Sequence, residues 1–66
     1  MNIKVNNEQQ EISENTSVAQ LVEQLKISTN GIAIAINNTV VKKSEWNSTI
    51  IKNNDDILII KSTQGG

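Results

Sequence analysis

Residues 55–63 read Asp55-Asp56-Ile57-Leu58-Ile59-Ile60-Lys61-Ser62-Thr63, DDILIIKST. Four consecutive apolar side chains leave neither face of an extended segment polar, the mark of a strand with neighbours on both sides. The last strand of the chain is therefore expected at the middle of a sheet, not at its edge. The remaining segments have to supply the strands that flank it.

The chain is too short for elaborate alternatives. Sixty-six residues make one domain with one modest core, and folding at this size buries only about 60 % of the extended surface. A deep catalytic cleft is not expected. Ile stands at eleven positions and Trp46 is the only aromatic residue, so the core is aliphatic.

Working back from residue 55, the periods are legible. GIAIAIN alternates Ile32, Ile34 and Ile36 with Ala33 and Ala35: one face offers bulk, the other tolerates close approach. TVV forms a short strand after Asn37-Asn38, and KKSEWNST reads as an irregular crossover. At the start, Met1, Ile3 and Val5 alternate with Asn2, Lys4 and Asn6, the period of a half-buried strand. EQQEI returns as a polar edge strand that carries Ile12 inward, so residues 1–12 read as a hairpin. The pairs Asn6-Asn7, Asn37-Asn38 and Asn53-Asn54 are read as turns, because Asn tolerates left-handed backbone and bonds its own chain locally.

One segment changes period. Val18, Leu21, Val22 and Leu25 fall at i, i+3, i+4 and i+7, one stripe of a helix of about three turns. Ser17 with Gln20 makes a capping box, and Thr16 is a competing N-cap. Lys26 is expected to complement the helix dipole, with STNG ending the pattern through Asn30-Gly31. Periodicity alone thus predicts an α+β fold with one helix on a mixed sheet.

Composition excludes several classes. Six basic and seven acidic residues give a formal charge of −1, without the clustered basic stripe and stacking aromatics of a nucleic-acid surface. The apolar runs are far below membrane-spanning length and no leader pattern precedes them, so the protein is expected to be soluble and cytoplasmic. Cys is absent, which removes disulfides and thiolate metal sites.

Single features have plain structural readings. Trp46 is read as packing over the open end of the core, with an exposed partner anchor as the alternative. Asp55-Asp56 lacks calcium-loop spacing and is read as a solvated turn. Glu8, Glu11 and Glu14 guard an edge strand. Lys42 and Lys43 belong on an exposed crossover, where contact with an acidic partner stays open. The run ILII is read as a buried strand and not as an aggregation segment.

After the last strand comes STQGG, Ser62 to Gly66. The chain is read as one domain over residues 1–66, with 62–66 a tail ordered at its root and flexible at its tip. A terminal glycine pair is common in unrelated chains. Glycine also offers what no other residue can: an extended peptide without Cβ that enters a narrow channel and presents its α-carboxylate. A free carboxylate needs activation before nucleophiles attack it, and the chain has no phosphate-binding glycine loop, no His and no Cys. The activating chemistry must come from a partner.

The order of strands and helix resembles the ubiquitin-like β-grasp fold, in which the first and last strands pair in parallel at the centre of a sheet of four to five strands and one helix crosses one face. The MNIKVN opening, SVAQLVEQL, GIAIAIN, VVKKSEW, KNNDDILII and the QGG ending, in this order over residues 1–66, resemble the ThiS family of sulfur carrier proteins in thiamine biosynthesis. The resemblance implies a non-catalytic co-substrate with no bound cofactor or metal. Gly66 would be adenylated with ATP by a ThiF-type enzyme and converted to a thiocarboxylate with sulfur from a cysteine desulfurase or persulfide protein. The thiazole synthase ThiG would then take the sulfur. Gly65 and Gln64 would form the slender approach into the partner's channel. One departure is Asn54-Asp55, where the family often has Gly-Asp; Asn is the next-best residue for a left-handed position, so the turn is expected to survive. The small subunit of molybdopterin synthase, MoaD, shares the ending but is usually longer, with aromatic and Pro-rich sequence before its glycines. A ubiquitin-like modifier shares the activation and differs in its acceptor.

Overall fold

The computed structural model describes residues 1–28 and 30–61. Five strands and one α-helix follow in the order β1 (Asn2–Val5), β2 (Glu8–Glu11), α1 (Val18–Gln24), β3 (Ile32–Ile36), β4 (Thr39–Val41) and β5 (Asp56–Lys61), with a 3-10 turn at Lys43–Glu45. The sheet runs β2-β1-β5-β3-β4. Only β1 and β5 are parallel, at Lys4↔Asp56 and Val5↔Ile57. The fold is a ubiquitin-like β-grasp, and the last strand is central as expected.

The Asn pairs supply the left-handed backbone that the tight connections need. Asn6 and Asn7 have φ of 52° and 69°, and Asn37 and Asn38 have 50° and 71°. Two consecutive positive φ values are the signature of the hairpin turns whose twist matches that of the strands. Asn54 holds φ 70°, so the turn before β5 keeps its form without Gly. Asn53 ties that turn to β1, because its Oδ1 accepts from the Asn2 amide at 2.8 Å.

The helix starts as its sequence signals. The Ser17 side chain accepts from the Gln20 amide at 3.1 Å, and the Gln20 Oε1 accepts from the Ser17 amide at 2.9 Å, a complete capping box. Thr16 instead donates its hydroxyl to the Ser13 carbonyl at 2.7 Å. The first two helical amides are satisfied from elsewhere: Val18 donates to the Thr49 carbonyl at 2.9 Å and Ala19 to that of Trp46 at 3.1 Å. All four free amides at the helix start, Ser17 to Gln20, therefore have partners.

The end of the helix departs from expectation. It spans seven residues, about two turns, and Lys26 lies beyond it at φ 56°. Lys26 thus takes the left-handed C′ role usually filled by Gly. Its amide donates to the Glu23 carbonyl at 3.1 Å. The expected stop at Asn30-Gly31 comes too late, although Gly31 does turn the chain, at φ 70°.

The core is aliphatic around one ring. Ile3 and Val5 from β1, Ile34 from β3 and Ile57 from β5 meet Val18, Leu21 and Val22 of the helix, with Ile12, Ile51 and Trp46 closing the ends. Trp46 is buried, and its Nε1 donates to the Val41 carbonyl at 3.1 Å. This settles the choice between core packing and an exposed anchor. The crossover is more regular than expected, since its 3-10 turn is what delivers Trp46 inward. Among the described residues, every buried side-chain nitrogen and oxygen has a hydrogen-bond partner.

Burial of β5 differs from the expectation on one face. Ile57 is fully buried, but Leu58 and Ile60 are 46 % and 49 % exposed. The reason is geometric: the single helix covers one side of the sheet, and residues 58 and 60 point to the other. A central position therefore comes from pairing on two edges, not from cover on two faces.

Candidate functional site

The structural part of the site is the strand from which the STQGG segment departs. The residues singled out for chemistry, Gln64, Gly65 and Gly66, lie outside the described residues, as does the rest of 62–66. What the fold defines is their base.

On one edge, β5 pairs with β3 over five positions, from Ile36↔Ile57 to Ile32↔Lys61. The ladder thus reaches the last described residue. On the other edge the cover is shorter. Lys4 donates to the Asp55 carbonyl at 3.0 Å and Asn6 to the Ile57 carbonyl at 2.9 Å, after which β1 turns away. The Ile59 amide then donates to the side-chain Oδ1 of Asn6 at 2.8 Å.

The entry to β5 is fixed by side chains. Asn37 donates from its amide to the Asp56 carbonyl at 2.8 Å, and its Oδ1 accepts from the Asp56 amide at 3.0 Å. Asp55 accepts from Asn37 Nδ2 at 3.1 Å through Oδ1 and from the Lys52 amide at 2.8 Å through Oδ2. The Asp55-Asp56 turn is therefore a crosslink between turns and more than a solvated bend. Both oxygens of Asp55 have protein partners, and no group of three or more His, Cys, Asp or Glu gathers among the described residues.

Two apolar surfaces flank the strand. On the outer face the register sets Val40 opposite Ala35 and Ala35 opposite Leu58, with Ile60 opposite Ala33. Val40 is 69 % exposed. On the helix side, Val5, Leu25, Ile27 and Ile59 line a groove that ends at Lys61. Lys42 and Lys43 are exposed on the crossover, with Lys43 Nζ 5.9 Å from the centroid of the Trp46 ring. The reading of the sequence missed the role of Asn6, and the only available signal was its place next to a turn. It also missed the open outer face, which a single helix in so short a chain implies.

No helix of the described residues is long and apolar enough to cross a membrane. The chain contains neither His nor Cys.

Comparison with known proteins adds the family context. The model of the ThiS family matches residues 3–66. The sulfur carrier protein ThiS of Escherichia coli (strain K12) is 32% identical over 66 residues, covering 100% of both chains. Among solved structures, the crystal structure of a thiamine biosynthesis protein (ThiS) from Geobacter metallireducens superposes with a TM-score of 0.87 at 23% identity, covering 100% of both chains. An NMR solution structure of a thiamine biosynthesis protein from Geobacter metallireducens gives 0.80 at 23% identity, over 100% of this chain and 88% of that one.

Proposed function

Since this chain belongs to the ThiS family, we propose that it carries sulfur for the thiazole moiety of thiamine on the α-carboxylate of Gly66. The observation that carries this reading is the placement of the STQGG segment directly after a central strand paired with β3 as far as Lys61. A rigid base with a slender extension suits delivery of one carboxylate into another protein's site.

The chemistry divides between carrier and partners. An adenylating enzyme of the ThiF type binds ATP; the Gly66 carboxylate attacks the α-phosphorus, and pyrophosphate leaves. The acyl adenylate replaces a resonance-stabilised anion by a carbonyl with a good leaving group. The terminal sulfur of a persulfide, on a cysteine desulfurase or related protein, then attacks the carbonyl carbon and AMP departs. A second thiol then attacks the donor's cysteine sulfur in the resulting acyl disulfide, forms a disulfide with it and releases the thiocarboxylate, which the thiazole synthase ThiG consumes. Gly65 and Gln64 thread the partner's channel, where a Cβ at position 65 would widen the chain. The carrier itself is a co-substrate in the cytoplasm and contributes no catalytic side chain.

The test is ATP–pyrophosphate exchange by the adenylating enzyme. The intact chain should support exchange, and deletion of Gly66 should abolish it. Equal exchange by the deletion would refute the assignment.

A further inference from the structure

We propose that Asn6 is a positioning residue for the Gly66 carboxylate, acting through the Ile59 amide. The proposal rests on the reading of Gly66 as the activated residue.

The parallel pairing of β1 with β5 is short, at Lys4↔Asp56 and Val5↔Ile57. The next rung of a parallel ladder would take the Ile59 amide to the main-chain carbonyl of residue 6. Residue 6 has already turned left-handed, at φ 52°, to begin the β1–β2 connection. Its side chain replaces the missing rung: Asn6 Oδ1 accepts from the Ile59 amide at 2.8 Å, across 53 residues of sequence. The same residue donates its own amide to the Ile57 carbonyl at 2.9 Å.

One Asn thus closes the hairpin and extends the cover of β5 by two residues along the edge that β1 abandons. Few residue types meet both demands. A left-handed φ favours Gly, Asn or Asp, and the replaced rung needs a carbonyl or carboxylate oxygen at that reach. Without it, β5 between Ile57 and Lys61 is held along the β3 edge alone, and its direction is free to splay. Four residues separate Lys61 from Gly66. The course of β5 from Ile57 to Lys61 sets where the chain leaves the sheet on its way to Gly66.

Two substitutions separate turn from acceptor. Asn6→Gly keeps the left-handed backbone and removes the oxygen; Asn6→Asp keeps both. The assay is steady-state adenylation by the ThiF-type enzyme, with thermal melts to establish that each variant is folded. Asn6→Gly is expected to lower kcat about tenfold with KM changed less than about twofold, because reach is lost and docking is not. Asn6→Asp is expected to stay within about twofold of the unmodified chain in both constants. A merely structural role would lower the melting temperature of Asn6→Gly and leave kcat unchanged, which would overturn the proposal. A loss in Asn6→Asp equal to that in Asn6→Gly, or a rise in KM alone, would overturn it too. Amide exchange on the unmodified chain is an independent arm: Ile59 should be protected well beyond Lys61, and equal rates would contradict the assignment even where a variant does not fold. If the unmodified chain is not adenylated at all, the function of Gly66 fails, an outcome distinct from activation that is indifferent to Asn6.

Discussion

Asn37 and Asp55 join two turns that lie 18 residues apart, with Asn37 Nδ2 donating to Asp55 Oδ1 at 3.1 Å. The second oxygen of Asp55 accepts from the Lys52 amide at 2.8 Å. One carboxylate therefore fixes the β3–β4 turn against the entry of the central strand. Replacing Asp55 by Ala should destabilise the fold by about 1–2 kcal/mol, since two bonds are lost at a solvated site. Asp55→Asn, which keeps one acceptor, should lose less. Urea denaturation midpoints at constant slope measure both.

The capping box makes a second prediction. Ser17 and Gln20 satisfy each other's backbone amides, so Ser17→Ala should cost about 1 kcal/mol. Gln20→Ala should cost a comparable amount, because it leaves the amide of the buried Ser17 without its acceptor. The double variant should fall short of the sum, and a double-mutant cycle by denaturant titration reads this coupling.

The two faces of β5 predict opposite sensitivities at adjacent residues. Ile57 is fully buried, and Ile57→Ala should cost about 2–5 kcal/mol. A chain of this length has a total stability of roughly 3–10 kcal/mol, so the variant should lose a large share of it and melt at a clearly lower temperature. Leu58 is 46 % exposed on the uncovered face, and Leu58→Thr should cost less than about 1 kcal/mol. Thermal melts of the two variants side by side check the contrast.

Trp46 provides a clean probe because it is the only aromatic residue in the chain. It is 4 % exposed with its Nε1 bonded to the Val41 carbonyl. Its fluorescence should resist a soluble quencher in the folded state and become fully quenchable, at longer emission wavelength, in denaturant. Ready quenching of the native protein would contradict the packing described.

Much of the fold was legible because local chemistry and global topology agree. The alternation Ile32, Ile34, Ile36 placed a strand, three Asn pairs placed turns, and Ser17 with Gln20 placed a helix start. The failures share a cause. Lys26 carried a charge that suited the helix dipole, yet the helix ends at Gln24 and Lys26 follows the C-cap Leu25 with left-handed backbone. Leu58 and Ile60 looked buried because a run of apolar residues does not reveal which face has cover. Asn6 and Asn37 looked like turn residues, and they are; their carboxamides also bond residues 59 and 56, partners that only the completed topology brings near. For the candidate site, the glycine pair was legible in the sequence, but the two edges of the strand that precedes it were not.

The central claim is that Gly66 bears the sulfur. Its direct test is the intact mass of the chain after incubation with the adenylating enzyme, ATP and a persulfide donor, with fragmentation to locate the change. The account predicts replacement of one oxygen by sulfur, confined to the C-terminal carboxyl of Gly66 and absent from a chain lacking that residue. Sulfur found elsewhere, or loading of the chain without Gly66, would contradict it.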